Sequence, residues 1–180
     1  IVFGDWSSDV CSSDLPGDIS VTVIRKVRPD AHARFSAISR TYEYHISLEK
    51  DPFTEESSWY IHGMIDTGLM NTAAGKLLLH DDFTSFSKLH SGNKNNICSV
   101  YEASWTEAGK TLIFRIRANR FLRNMVRAIT GTLIDVGRGK ITPEEFEKII
   151  LSRDRSRAGM SAPARGLFLT DIEYPSGIFV

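Results

Sequence analysis

Between residues 19 and 24 the chain reads Ile, Ser, Val, Thr, Val, Ile, an alternation rich in β-branched residues that predicts a strand ending near Pro29. A second strand is expected over 38–48, where Ile38, Arg40, Tyr42, Tyr44, Ile46 and Leu48 share one face by the two-residue period. One arginine interrupts that apolar, aromatic stripe. Asp66 is placed to cap a helix running to about Leu79, with Leu69, Ala73 and Leu77 as its inner row. The segment 80–88 is followed by the polar stretch 91–96, which reads as an exposed loop with room to move. Strands are predicted over 97–106 and 111–118, joined as a hairpin by the glycine-containing 107–110.

From 121 to 136 the period lengthens to that of a helix, with Leu122, Met125, Val126, Ile129 and Leu133 recurring at steps of three and four and Gly137 as the stop. Thr142, Pro143 and Glu145 mark another helix start, with Phe146, Ile149 and Ile150 on its buried side and an end near Ser152. A basic loop, 153–165, leads into a last strand, 167–174. These elements predict one α+β domain: an antiparallel sheet with its helices mainly on one face.

With 180 residues and 42% hydrophobic content the chain can bury one core, and its composition argues against disorder. No apolar run approaches the roughly 18–20 residues of a membrane span, and no basic-then-apolar leader opens the sequence, so neither membrane nor secretion is indicated and a cytoplasmic protein is expected. Cys11 and Cys98 lack any CxxC partner, which argues against zinc or a disulfide framework and makes Cys98 a buried small hydrophobe. The histidines lack HExxH spacing, so no metal site is expected. Gly137, Arg138 and Gly139 follow a helix instead of opening one, unlike a dinucleotide fingerprint, and Ser85 is not in a GxSxG elbow.

Residues 5–15, DWSSDVCSSDL, have neither periodicity and match, codon by codon, the translation of a widely used sequencing-adapter oligonucleotide. Residues 1–15 are therefore expected to lie outside the fold, which would occupy 16–180. Removing Asp5, Asp9 and Asp14 from the 22 acidic residues leaves 19 against 22 basic ones, a net charge of +3. The charge is also unevenly spread. From 108 to 134 there are six cations, Lys110, Arg115, Arg117, Arg120, Arg123 and Arg127, and no Asp or Glu. Helical steps would put Arg120, Arg123 and Arg127 on one side, which is either a solvated face or a phosphate-binding one. The missing acids favour phosphate, and Tyr42 in the row of Arg40 adds a ring of the kind that holds an extruded base.

Five segments then carry a resemblance: LPGDI at 15–19, HARFSAISRTYEY at 32–44, DFTSFSK at 82–88, ANRFLRNMVRAITGTLIDVG at 118–137 and ARGLFL at 164–169. In this order they resemble the TruA-type tRNA pseudouridine synthases over residues 15 to about 174. The resemblance implies isomerisation of uridine to pseudouridine in the tRNA anticodon stem-loop, at positions of the 38–40 type, without metal or organic cofactor, by a homodimer with RNA across both subunits. It implies that 16–180 are the C-terminal part of the catalytic domain. By the same resemblance Tyr42 stacks on the target uracil and takes part in the closing proton transfer, and Arg127 pairs with the catalytic carboxylate. Arg34, Arg120 and Arg123 would contact substrate, and Leu167 and Leu169 would line the pocket. The family's nucleophilic aspartate belongs to a GRTDxGVHA-like motif upstream of the first segment, and that motif is absent from this sequence. The chain alone is therefore expected to be inactive. The alternative is a non-catalytic RNA-binding module that uses the arginine-bearing helix face.

Overall fold

A computed structural model describes residues 15–88 and 95–180. The expectations for residues 1–14, and for most of the loop at 91–96, lie outside the described residues. The described residues form two compact units, Ala37–Glu173 and a smaller one in which residues 15–36 join Tyr174–Val180.

The larger unit is built on β1 (Ser39–Ser47), which is paired along both edges. One edge takes β4 (Thr111–Ala118) antiparallel, and β3 (Val100–Ala108) pairs antiparallel with β4 beyond it. The other edge takes β5 (Leu167–Glu173) antiparallel along Ser39–Tyr44 and the two-residue β2 (Trp59–Tyr60) parallel at Ile46 and Ser47. The sheet is thus mixed, its one parallel pair being too short to leave a period in the sequence. The hairpin between β3 and β4 turns on Gly109 and Lys110, with Gly109 at a positive φ of 62° that suits a tight turn between twisted strands.

Registered pairs put Tyr42, Tyr44 and Ile46 beside Ile116, Phe114 and Leu112, with Ala103 and Trp105 next to them on β3. This face belongs to the same apolar cluster as the buried sides of the helices, while Glu43, His45, Arg115 and Arg117 on the opposite face are half-exposed. That asymmetry is why alternation located β1 and β4 in the sequence.

Helix α1 (Thr67–Lys76) starts where predicted, with Asp66 accepting from Leu69 N at 2.9 Å. Its buried residues are Met70, Ala73 and Ala74, and Leu77 is buried in the 3₁₀ turn Leu77–Leu79 that follows, so Ala73 and Leu77 face inward as predicted while Leu69 is 40% exposed. Helix α2 (Met125–Gly137) begins four residues later than its apolar period suggested, because Asn124 is left-handed (φ 70°) and breaks the helical path. The expected stop at Gly137 is also displaced. Gly137 is the last helical residue and lies against Met70 and Ile65, whereas the positive φ of 68° occurs at Gly139. Helix α3 (Pro143–Ser152) has the predicted capping box, with Glu145 N donating to Thr142 Oγ1 (3.2 Å) and Thr142 N to Glu145 Oε2 (2.8 Å). Glu147 of α3 is held below the usual carboxylate range by hydrogen bonds from Lys76 and His80. Among the described residues no helix is long and apolar enough to cross a membrane.

Two serine- and cysteine-bearing segments have structural roles. Ser85 is fully buried, donates to Ile149 O (2.6 Å) and accepts from Asp154 N (3.0 Å), and its neighbour Phe86 stacks on Phe146. Cys98 is fully buried, and burial pushes its thiol up to about 11, with Arg120 opposing the shift. Cys98 is therefore expected to resist iodoacetamide at pH 8 in the native chain and to react once urea unfolds it. Peptide mass mapping checks this, and rapid native labelling at Cys98 would contradict the packing.

In the smaller unit the predicted strand at 19–24 does not form: Ile19, Val21, Val23 and Ile24 are 51, 45, 61 and 58% exposed. β-branching specifies an extended segment, but a strand also needs a paired neighbour, and the described residues offer none there. Pairing begins three residues later, where Val27 bridges Phe179, with Arg28 N donating to Ile178 O and Val180 N to Lys26 O.

Candidate functional site

The register of β1 against β5 sets the site. Tyr42 lies opposite Leu169 and Tyr44 opposite Leu167, so all four side chains are on the face that also holds the core. A register irregularity between Thr41 and Tyr42 leaves Thr170 outside the pairing, with its hydroxyl on Thr41 O at 3.3 Å. Tyr44 is fully buried and hydrogen-bonds Pro163 O at 2.7 Å. Burial raises its phenol well above the ordinary value, against the opposing charges of Arg127 and Arg165. One pleat along, Tyr42 is only half-buried, its ring edge-on to Phe121 with centroids 5.1 Å apart. Leu169 is 48% exposed beside it. The apolar stripe thus runs from core at Tyr44 to surface at Tyr42.

Arg127 stands in the first turn of α2 and is half-buried. Its Nε donates to Ala162 O (2.6 Å), and Ala162 N donates back to Arg127 O (2.9 Å). Since Ala162 precedes the Pro163 that receives the Tyr44 hydroxyl, the 158–163 loop joins Arg127 to the tyrosine strand on one face. Among the described residues no carboxylate lies within 4 Å of Arg127. A half-buried guanidinium on an apolar face is a strong receptor for an anion, because its forked donors match a carboxylate or phosphate.

Tertiary structure divides the six cations of the acid-free segment. Lys110 meets Glu49 (2.8 Å), Arg115 meets Glu43 and Glu102 (2.9 and 3.2 Å), and Arg117 meets Glu173 (3.6 Å). Neighbouring strands supply the acids that the segment itself lacks. Arg120 and Arg123 have no such partner among the described residues. The predicted single arginine face is overturned, however: both precede α2, so they do not share a helix face with Arg127. Arg120 donates to Asn95 Oδ1 (3.2 Å), and Arg123 is exposed, its carbonyl accepting from Lys88 N (3.0 Å). Arg40, in the Tyr42 row, donates to Asn119 O (2.7 Å) and Ala37 O (3.1 Å) and so ties strands together. Arg34 belongs to the smaller unit, where it is exposed with its guanidinium 5.5 Å over the Phe35 ring.

The structure therefore places Tyr42, Leu167 and Leu169 on one face of β1 and β5, links Arg127 to β1 through the 158–163 loop, and adds two residues that sequence reasoning missed. Phe121, half-buried against Tyr42, marks in the sequence only the start of the predicted helix. Arg165, within electrostatic reach of the Tyr44 hydroxyl, is in the sequence one charge of a basic loop. Their positions inside the RFLRN and ARGLFL segments were the available signal.

A family model described as tRNA pseudouridine synthase matches residues 73–175. The chain is 53% identical over 168 residues to the tRNA pseudouridine synthase A of Bacteroides thetaiotaomicron, an alignment covering 92% of this chain and 62% of that protein. It is 52% identical to the Bacteroides fragilis protein of the same name, covering 92% and 66%, and 38% identical to that of Bacillus subtilis, covering 89% and 66%. The chain thus spans a little under two thirds of the length of these curated relatives.

Proposed function

The chain belongs to the tRNA pseudouridine synthase family, and we propose that it is the C-terminal part of a catalytic domain that isomerises uridine to pseudouridine in the tRNA anticodon stem-loop. The reaction breaks the glycosidic bond and rejoins the uracil through carbon. The base must leave its stack and be held while detached, which calls for a ring to stack on and a water-poor wall. Tyr42 supplies the ring and takes part in the closing proton transfer, Phe121 props it edge-on, and Leu167 and Leu169 supply the wall. Arg127 receives the carboxylate of the catalytic aspartate and holds it ionised. Arg120, Arg123 and, from the smaller unit, Arg34 take the RNA backbone, which makes binding fall steeply with salt. The working form is a cytoplasmic homodimer with RNA across both subunits.

One observation carries this reading. A half-exposed tyrosine and leucine face each other across β1 and β5, while on the same face a fixed guanidinium lacks a carboxylate among the described residues. The arrangement suits a base with an acid beside it. A plain RNA-binding module needs neither a buried-to-exposed aromatic stripe nor a cation tied inward, and its arginine row is broken at Asn124.

The test uses photochemistry, so it does not depend on turnover. An anticodon stem-loop carrying 4-thiouridine at positions 38–40 is irradiated with the chain, digested with trypsin and mapped. Crosslinks are expected on the peptide 41–50, which carries Tyr42, and to disappear with a scrambled stem-loop. Crosslinks confined to other peptides, or equal with the scrambled RNA, would remove the basis for the assignment.

A further inference from the structure

The segment 158–163 has no regular structure, yet it is bonded at nearly every residue. Arg155 Nη1 donates to the carbonyls of Ala158 and Gly159 (3.2 Å each), and its Nη2 donates to Ser161 Oγ (3.0 Å). Asn124 Nδ2 donates to the same Ser161 Oγ at 2.6 Å. Gly159 N donates to Thr132 Oγ1 (3.0 Å), and the carbonyl of Met160 rests on Gly131 of α2. Ala162 then exchanges two hydrogen bonds with Arg127, and Pro163 accepts from Tyr44. Only the side chain of Met160 is left outside, 72% exposed.

Two features distinguish this from ordinary loop packing. Ser161 Oγ accepts from two side chains that arrive from different elements, which uses both acceptor positions of a hydroxyl. Asn124 holds a left-handed conformation (φ 70°) that glycine would adopt without strain, and it is one of two non-glycine residues with positive φ among the described residues. What asparagine adds at that position is the amide that reaches Ser161. Asn124 immediately precedes α2 and Arg127 stands in its first turn, and the two bond consecutive loop residues, Ser161 and Ala162.

We propose that Asn124, Ser161 and Arg155 are positioning residues: together they fix the carbonyl of Ala162, and through it they aim the Arg127 guanidinium. A guanidinium anchored through Nε presents its remaining donors in one direction, so the loop carbonyl decides where an incoming carboxylate is held. That consequence rests on the site reading above, whereas the clamp itself can be measured without RNA.

The Nε–H signal of Arg127 is followed in ¹H–¹⁵N spectra of the full 180-residue chain, assigned by its loss in Arg127→Lys. In the unaltered chain it exchanges slowly compared with that of exposed Arg123. Ser161→Ala and Asn124→Gly are each expected to speed its exchange about tenfold, the worth of one hydrogen bond, while the slowest core amides keep their rates. Ser161→Thr, which retains the hydroxyl, restores slow exchange. Asn124→Gly relieves backbone strain, so it decides the matter if Ser161→Ala unfolds. The proposal is overturned if Arg127 exchanges as fast as Arg123 in the unaltered chain. It is equally overturned if Asn124→Gly leaves the signal unchanged, or if the signal quickens only in step with the core amides. A failed crosslink alongside a positive result here would sink the functional reading and leave the clamp standing.

Discussion

Gly131→Ala is expected to destabilise the larger unit by roughly 3 kcal/mol or more, at or above the upper end of the usual overpacking range. A Cβ at this position would fall inside the carbonyl oxygen of Met160, with Met160 C at 3.0 Å and Ala162 N at 3.3 Å behind it. All three atoms are backbone, and hydrogen bonds hold their segment in place, so no rotamer change relieves the clash. The whole 158–163 segment would have to lift from α2, taking the Arg127 and Tyr44 bonds with it. Against a typical domain stability of about 5–15 kcal/mol, such a loss lowers Tm by on the order of 10 °C. Helix propensity alone gives the opposite sign, because alanine is favoured over glycine inside a helix by about 1 kcal/mol. Gly75→Ala in α1 is the control, since a Cβ there meets nothing within 4 Å, and it should raise stability slightly. Urea unfolding of the two variants checks both signs. A Gly131→Ala midpoint at or above that of the unaltered chain would refute the close approach.

With the chain alone, a stem-loop labelled with tritium at C5 of uridine is expected to release no tritium into water. Loss of the nucleophile costs a serine protease on the order of 10⁶-fold. The chain carries no GRTDxGVHA-like motif, and Arg127 has no carboxylate within 4 Å among the described residues. Asp82 is engaged by Arg153 (2.9 Å) and Asp135 by Lys140 (2.8 Å), so neither is available to Arg127. Binding and chemistry should therefore separate, with the crosslink to 41–50 present and turnover missing. Tritium release above that of an RNA-only control would show that another carboxylate serves, and the role given to Arg127 would have to be rebuilt.

The elements that could be read in advance were those in which one local cause suffices. β1 and β4 showed in alternation because one face of each is buried and the other is wet. The start of α3 showed in Thr142, Pro143 and Glu145 because a capping box is a contact between near neighbours. The helix at 121–136 showed in its apolar period, but its true start did not. A left-handed Asn124 leaves the hydrophobic spacing undisturbed while displacing Arg120 and Arg123 from the helix. The strand expected at 19–24 failed for a related reason, since alternation reports the propensity of a segment and not whether a partner lies beside it.

Residue types and family motifs in the sequence determined the fold class, the family, and Tyr42 and Arg127 as the residues to examine. These depend on identity and short-range order, which the chain carries in full. Tertiary structure alone decided which cations stay without acids, that Phe121 meets Tyr42, and that a loop without periodicity holds Arg127 through one carbonyl. Those outcomes depend on distances between residues far apart in sequence. Glu43 and Arg115, or Arg127 and Ala162, come into contact only after strands and helices have packed.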